Sequence, residues 1–324
     1  TEENLIYIKN SGIQLSLSID GAEKSQKLRK TAGGKSSFTC VLENSKRVRT
    51  VLHNRIPPVR KTVQPATVRY LFEDVSFFID HGFTDISFSP AIDTPWIEND
   101  LVTFHNEQKK IAQLWLKCLG TPRQFYISAW DESMGIRELY RRGQLRRNGT
   151  FFCGAGGHQI AVDIHGDIYP CHRFVFYDKN SKKNHLGSVL TGISDNYEAF
   201  HQTAVTCDVL DNRTDYCREC RYNDRCVMLC PAVNFATTGD LYRNDPVYCS
   251  FFDSTERIID SIEPQTGNRD CFERYKEHVF SRVRNRLYSG FSRRPSVQWN
   301  NSTLDSLTER AFTLLSKMST NEKS

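Results

Sequence analysis

The first part of the chain alternates between short segments with strand composition and longer segments with one apolar side. Strand-like runs, rich in β-branched residues or in alternating apolar and polar residues, lie at 13–21, 59–63, 85–90 and 124–128. Helical segments, most of them with apolar residues at helical spacing, lie at 2–10, 38–52, 66–81, 98–119 and around Ile136–Tyr140. This alternation predicts an α/β fold with a parallel sheet and covering helices. The units are too few to close an eight-stranded barrel, which needs about 250 residues.

The second part of the chain has a different pattern. Residues alternate in character on both sides of His165-Gly166, which predicts a β-hairpin with a tight turn. Loops are expected after Cys171, followed by a helix near 196–206. The segment 231–240 is expected to shape a turn. Beyond Cys249 we expect two helices at 251–262 and 272–283, a polar linker at 293–302 and an amphipathic helix at Leu304–Met318.

Composition excludes several classes of protein. A hydrophobic content of 39% with 25% charged residues is that of a soluble globular protein. No apolar run approaches bilayer length, and the first residues carry no signal-peptide pattern, so we expect no membrane partner. A net charge of +5 is too mild to predict nucleic-acid binding. The basic run Arg141–Arg147 is interpreted as a solvated connector, with a groove for an acidic peptide as the alternative.

Cysteine spacing is the strongest chemical signal. The chain has 11 cysteines, an odd number that a disulfide scaffold would leave unpaired, and we expect a cytoplasmic protein. Seven of them form the pattern C-x12-G-x4-C, C-x2-C-x5-C-x3-C and a final C, at Cys153, Cys171, Cys217, Cys220, Cys226, Cys230 and Cys249. Thiolates crowded on one loop suit zinc or an iron–sulfur cluster, and zinc is the simpler interpretation of the short motif.

This pattern resembles the seven-cysteine signature of the SPASM domain of radical S-adenosylmethionine (SAM) enzymes. The resemblance implies two auxiliary [4Fe–4S] clusters. It assigns one cluster to Cys217, Cys220, Cys226 and Cys249. It assigns the other to Cys153, Cys171 and Cys230, which leaves that site one protein ligand short, with Cys207 as a weak candidate.

The first part of the chain resembles the back half of the partial barrel of the same enzymes. Ser18-Ile19-Asp20-Gly21 is similar to the phrase that ends their fourth strand, and Asp93-Thr94-Pro95-Trp96 is similar to the peptide- and protein-maturing members. The resemblance implies S-adenosylmethionine contacts from Ser18 and Asp20, with Arg29 or Lys30 reaching the cofactor's carboxylate. The family's defining C-x3-C-x2-C motif is absent from this sequence. We therefore expect this chain by itself to be inactive and S-adenosylmethionine to belong to the full-length enzyme.

The resemblance organises the chain into four expected parts: a partial barrel at 1–130, a connector at 131–150, a SPASM domain at 151–255, and C-terminal helices with a tail at 256–324. It implies a peptide maturase, anaerobic sulfatase-maturase-like, that acts on a peptide or protein and takes electrons from a donor such as a flavodoxin or ferredoxin. His172 replaces an aspartate that the sulfatase-maturing relatives carry. It is a weak candidate for a catalytic base, and a hydrogen bond supporting the cluster is the alternative. The alternative function is a non-catalytic zinc- or cluster-binding scaffold for peptide recognition.

Overall fold

The computed structural model describes residues 1–11, 13–52, 56–91, 94–144, 153–157, 159–178, 181–204, 214–226, 230–267 and 270–285. The chain forms two compact units, which we describe separately. Unit 1 contains the described residues of Thr1–Gly143 and Cys249–Val283. Unit 2 contains the described residues of Gln144–Tyr248 together with Arg284 and Asn285.

The regular elements are numbered along the whole chain. The strands are β1 (Leu17–Ser18), β2 (Val59–Val63), β3 (Asp85–Pro90), β4 (Tyr126–Ile127), β5 (Ala161–Val162), β6 (Asp167–Tyr169), β7 (Gly187–Ser188) and β8 (Gly192–Ile193). The α-helices are α1 (Glu2–Asn10), α2 (Glu23–Gln26), α3 (Phe38–Val51), α4 (Leu71–Asp80), α5 (Glu98–Cys118), α6 (Ser128–Arg141), α7 (His172–Tyr177), α8 (Asp195–Ala204), α9 (Asp215–Arg218), α10 (Pro231–Thr238), α11 (Pro246–Thr266) and α12 (Asp270–Asn285). A 3₁₀ helix, Pro65–Tyr70, precedes α4.

Unit 1 is built on a four-stranded sheet in the order β1-β2-β3-β4, and each neighbouring pair is parallel. The predicted parallel α/β arrangement is confirmed. Helices α4 and α5 pack against each other, and the Phe104 ring of α5 lies 6.1 Å from the Phe88 ring of β3. Phe78 of α4 and Ile111 and Trp115 of α5 are buried. These residues lie at helical spacing, so the sequence pattern and the core coincide.

The two faces of this sheet differ in chemistry. In β2, Val59, Lys61 and Val63 are buried, whereas Arg60 is exposed and Thr62 is half-buried. Because partners in register share a face of a parallel sheet, the polar face also contains residues of β1 and β3 opposite Arg60 and Thr62. These are Ser18, Ser87 and Ser89.

A buried ion pair joins the sheet to α4. The Nζ atom of Lys61 lies 2.8 Å from Oδ2 of Asp74, and both side chains are completely buried. Asp74 also accepts hydrogen bonds from the Ser25 hydroxyl at 2.6 Å and the Ala22 amide at 2.9 Å. Burial raises the pKa of Asp74, while Lys61 and these donors oppose the rise. The charge is thus compensated inside the fold, as a buried carboxylate requires.

Helix α6 belongs to unit 1, where it packs with α11 and α12. Arg137 donates to Glu256 at 2.8 Å and to Asp260 at 2.6 Å, and Glu256 is completely buried. The hydroxyl of Tyr275 donates to Asp131 in the same region. Residues 131–141, which we expected to begin a connector, are therefore helical and packed in this unit. Residues 145–150 lie outside the described residues.

Unit 2 contains a four-stranded antiparallel sheet in the order β5-β6-β7-β8. The predicted hairpin is present as β5 and β6, with Ala161 opposite Tyr169. Its turn is closed by Asp163, whose carboxylate accepts from the amides of His165 and Asp167 at 2.8 and 2.9 Å. Gly166 adopts φ +87°, a left-handed conformation that favours glycine.

Several predicted boundaries were wrong. Strand β1 spans Leu17–Ser18 rather than 13–21, because only these two residues pair with β2, at Val59 and Arg60. Short helices, α7 and α10, replace the loop expected after Cys171 and the turn expected over 231–240. Asp93, Cys207, the linker 293–302 and the predicted helix Leu304–Met318 lie outside the described residues. Within the described part of the chain, no helix is both long and apolar enough to cross a membrane.

Candidate functional site

Three of the predicted ligands, Cys153, Cys171 and Cys230, lie on neighbouring segments of unit 2. Cys171 immediately precedes α7 as its N-cap residue, and Cys230 occupies the same position before α10. Helices α7 and α10 pack together, with the rings of Phe174 and Phe235 6.2 Å apart. The helix packing therefore brings together two cysteines that are far apart in sequence.

A glycine turn brings Cys153 to the same place. The amide of Gly156 donates to the carbonyl of Pro170 at 3.0 Å, which fixes the turn next to Cys171. Gly156 has φ +75°, and an added Cβ would lie 2.4 Å from the Phe200 ring. The close approach of Phe200 and the left-handed backbone both require glycine here. This turn explains why position 156 is a glycine.

The electrostatics of these three thiols show that they lie near one another. Desolvation raises the pKa of Cys153 to about 11, the Ala155 amide opposes this, and the charges of Cys230 and Cys171 add to it. Desolvation likewise raises the pKa of Cys171, with a further contribution from Cys230, while the amides of Phe174 and Arg173 act in the opposite direction. Cys171 is buried, Cys230 is half-buried, and Cys153 retains an exposed surface. A metal centre here would displace protons from neutral thiols.

The second predicted set lies on a coiled loop. Cys217 is buried in the single turn of α9, and the loop continues through tight turns to Cys226. The amide of Asn223 donates to the carbonyl of Cys220 at 2.9 Å, and the amide of Cys226 donates to Tyr222 at 2.7 Å. These bonds keep Cys217, Cys220 and Cys226 within one compact segment.

The fourth predicted member of that set, Cys249, lies in α11 and belongs to unit 1. All ten cysteines among the described residues have free thiols. Within the described ranges, no three or more histidine, cysteine, aspartate or glutamate side chains are grouped so that they could hold a metal ion.

Sequence reasoning missed Arg173. This half-buried residue follows His172 in α7, and its Nη1 donates to the hydroxyl of Tyr248 at 3.2 Å. Burial acts to lower the pKa of the guanidinium, but Tyr248 and Cys230 together raise it. Arg173 thus places positive charge beside the thiols, whereas His172 is exposed. The sequence feature that could have identified Arg173 is its position, two residues after the predicted ligand Cys171.

The predicted S-adenosylmethionine residues lie at the polar face of the unit 1 sheet. Ser18 is exposed on β1, whereas Asp20 is buried and its carboxylate accepts from Arg29 Nε at 2.6 Å and from the Thr62 amide at 2.9 Å. Arg29 also reaches the Thr62 hydroxyl at 3.4 Å. The structure therefore joins Asp20 to Arg29, while Lys30 is exposed on the neighbouring loop. Asp20 therefore holds the Arg29 side chain in place through hydrogen bonds.

Gly21 has a packing role in the same segment. It adopts φ +128°, and an added Cβ would lie 2.0 Å from Oδ1 of Asp74. The Asp-Gly pair thus allows the chain to pass directly over the buried carboxylate of α4.

Comparison with known proteins gives a likeness of fold. No protein-family model matches the chain. An uncharacterized protein of Archaeoglobus fulgidus is 28% identical over 100 residues, which span 31% of this chain and 22% of that relative.

Solved structures of the anaerobic sulfatase-maturing enzyme anSMEcpe align with most of the chain. The polyhistidine-tagged enzyme with bound AdoMet is 18% identical and has a TM-score of 0.59, covering 86% of this chain and 72% of that one. The native enzyme with bound AdoMet and Cp18Cys peptide is 16% identical, with a TM-score of 0.60 and coverage of 87% and 73%. At this identity the likeness is one of fold. The chain thus shares its fold with anSMEcpe.

Proposed function

We propose that this chain forms the sheet and the SPASM domain of a radical SAM enzyme that modifies a peptide or protein. The seven predicted cysteine ligands would hold two auxiliary [4Fe–4S] clusters, and the polar face of the unit 1 sheet would receive S-adenosylmethionine. A peptide or protein would be the substrate, and a small redox protein such as a flavodoxin or ferredoxin would supply electrons.

The observation that supports this proposal is that the segments carrying Cys153, Cys171 and Cys230 pack next to one another in a chain with the fold of anSMEcpe. These thiols come from three separate segments, and a hydrogen-bonded turn and a helix pair hold them near one another. Their unpaired state is compatible with ligation, since a thiolate is the ligand form of cysteine.

The donor set fits an iron–sulfur cluster. A cubane binds its thiolates through different iron atoms, so it accommodates ligands that stand farther apart than those of one tetrahedral zinc ion. In the proposal, Cys153, Cys171 and Cys230 hold one cluster, with Cys207 as a candidate fourth ligand. Cys217, Cys220, Cys226 and Cys249 hold the other. When bound, such clusters supply electron transfer or a site for substrate.

The chain's own residues have separable tasks in this scheme. Arg173, held by Tyr248, places a positive charge beside Cys171 and thereby favours the thiolate form of that residue. His172 is exposed next to Cys171 and is available to exchange a proton with a bound peptide. In unit 1, Ser18 offers a hydroxyl at the polar sheet face, and Asp20 holds Arg29 there. A cofactor carboxylate is the natural partner for that guanidinium.

The second candidate function is a zinc- or cluster-binding scaffold that recognises peptides without catalysis. It is favoured by one feature, the absence of C-x3-C-x2-C from the sequence. A chain without those three thiolates does not hold the cluster that cleaves S-adenosylmethionine. The two candidate functions differ in the metal that the chain binds and in whether the chain takes part in a radical reaction.

Metal analysis after anaerobic purification distinguishes the two. The proposal predicts a brown protein with about eight irons per chain and matching sulfide. Cys230→Ser should remove about half of the iron, because it removes one ligand of one cluster. Cys40→Ser is the matched control, since Cys40 is an exposed cysteine on α3 in unit 1, and it should leave the iron content unchanged. A colourless wild-type chain that contains zinc would contradict the proposal and favour the scaffold.

A further inference from the structure

Asn244 places a side-chain amide against one of the predicted cluster ligands. Its Nδ2 atom lies 3.8 Å from Sγ of Cys217, within hydrogen-bonding distance for sulfur. Cys217 is buried and Asn244 is half-buried, so the contact lies in a partly desolvated environment. An N–H donor aimed at a ligand sulfur is one of the features that set the reduction potential of an iron–sulfur cluster.

The hydrogen-bond network fixes which end of the Asn244 amide faces the sulfur. Nδ2 of Asn234 donates to the Leu241 carbonyl at 2.9 Å, which accepts only, so this atom of Asn234 must be the nitrogen. The same nitrogen lies 3.3 Å from Asn244, and the Asn244 atom facing it is therefore the oxygen. The Asn244 nitrogen is then the end that faces Cys217. The orientation of the Asn244 amide is thus assigned from its hydrogen bond with Asn234, whose own orientation is set by the Leu241 carbonyl.

Asn234 also links this donor to Cys230, a predicted ligand of the other cluster. Its side chain is 2% exposed, and its backbone amide donates to the carbonyl of Cys230 at 2.9 Å in the first turn of α10. One residue therefore fixes the backbone after Cys230 and orients the amide that faces Cys217. A buried asparagine with these bonds holds its geometry, because breaking any of them leaves a polar group unpaired.

We propose that Asn234 and Asn244 form an amide relay that raises the reduction potential of the auxiliary cluster ligated by Cys217. Asn244 donates to the ligand sulfur, and Asn234 is the positioning residue that directs it. The donor stabilises the reduced state, in which the sulfur carries more negative charge. This inference rests on the proposed function, because it requires a cluster at Cys217.

The test is a redox titration of the whole 324-residue chain, reconstituted anaerobically and followed by electron paramagnetic resonance with dithionite as reductant. Asn244→Leu removes the donor at similar size. We expect the reduced-to-oxidised ratio of one auxiliary cluster at a fixed potential to fall about three- to tenfold, the range expected for one hydrogen bond. Tenfold corresponds to about 59 mV for a one-electron couple. The other auxiliary cluster should be unchanged and serves as an internal reference.

Further variants separate tuning from folding. Asn244→Ser retains a short donor and should give an intermediate potential, whereas Asn234→Leu should lower the same potential by less than Asn244→Leu. Asn196→Leu is the matched control, because Asn196 is exposed on α8, and both potentials should stay at the wild-type values. Iron content and far-UV circular dichroism should equal those of the wild type in every variant.

Two results would overturn the inference alone. One is an Asn244→Leu chain with full iron content and two unchanged potentials. The other is loss of half of the iron from Asn244→Leu with an unchanged circular dichroism spectrum, since a tuning residue leaves ligation intact. A wild-type chain that assembles no iron–sulfur cluster would instead refute the proposed function.

Discussion

The turn at Gly156 offers the sharpest perturbation of the site's architecture. Gly156→Ala adds one methyl group to a residue with φ +75°, and that methyl would lie 2.4 and 2.7 Å from two carbons of Phe200. Gly239→Ala is the matched control, because Gly239 has the same φ and no atom within 4 Å of the added Cβ. The two variants share the left-handed backbone and differ in the steric overlap.

The magnitudes follow from this difference. A left-handed alanine costs about 1–2 kcal/mol, which is the whole effect expected for Gly239→Ala. Overpacking against a buried ring adds about 1–3 kcal/mol, so Gly156→Ala should destabilise unit 2 by about 2–5 kcal/mol. Phe200 cannot move away freely because it is packed in the core with Phe174.

Hydrogen exchange is the suitable assay, since the chain has two units and one unfolding midpoint would not separate them. The amides of α7, α10 and the β5–β8 sheet should lose protection in Gly156→Ala by more than in Gly239→Ala. Iron content after anaerobic reconstitution should fall in Gly156→Ala alone, because the turn places Cys153 beside Cys171. Equal loss of protection in both variants, or full iron content in Gly156→Ala, would refute this reasoning.

Three further predictions concern charge. Lys61→Met leaves Asp74 buried without its cation and should lower the free energy of unfolding of unit 1 by about 3–5 kcal/mol in urea titrations, with Lys61→Met/Asp74→Leu recovering much of the loss. Burial raises the pKa of Asp131 to about 7, above its ordinary value of 3.8. The folded state therefore binds more protons, and the stability that this carboxyl contributes declines as pH rises from about 4 to about 7. Asp131→Asn keeps an acceptor for Tyr275 and should flatten that decline in urea titrations across this range; an unchanged slope would contradict it. Because the pKa of Cys153 is raised to about 11, iron incorporation should increase from pH 7 to pH 9, measured by absorbance after equal reconstitution times.

The sheet of unit 1 could be predicted because its signals are local. Val59, Val63 and Ile86 form short apolar strands, and Phe104, Ile111 and Trp115 repeat at helical spacing on α5. Each pattern extends over enough residues to be distinguished from a chance arrangement of apolar and polar residues. The alternation from Ile13 to Asp20 predicts a longer strand than β1. Alternation does not show how many of these residues pair with the neighbouring strand, and only Leu17 and Ser18 do so.

The short helices of unit 2 were missed although their signals were present. Pro231 at the first position of α10 and Gly239 with φ +75° after its end are ordinary helix start and stop residues. The segment between them was interpreted as a turn because eight residues give little periodicity. Helix α7 is shorter still, and nothing in its sequence distinguishes it from a loop.

Contacts between distant residues could not be deduced from the sequence. The bond from Asn244 to Cys217 spans 27 positions, and the bond from Thr62 to Asp20 spans 42. Such contacts depend on how segments pack, which no spacing rule contains. The sequence pattern therefore places Asn234 in a turn, whereas the structure shows its side chain bonded to Leu241 and Asn244. Asp20 is likewise expected to contact a cofactor, and the structure shows its bond with the Thr62 amide.

Mössbauer spectroscopy of the chain reconstituted with ⁵⁷Fe tests the central claim most directly, because it counts clusters by type. We expect two [4Fe–4S] populations of equal size in the wild type. Cys153→Ser should remove one of them, Cys217→Ser should remove the other, and the double variant should remove both. Spectra that show only adventitious iron, or one population lost in both single variants, would contradict it.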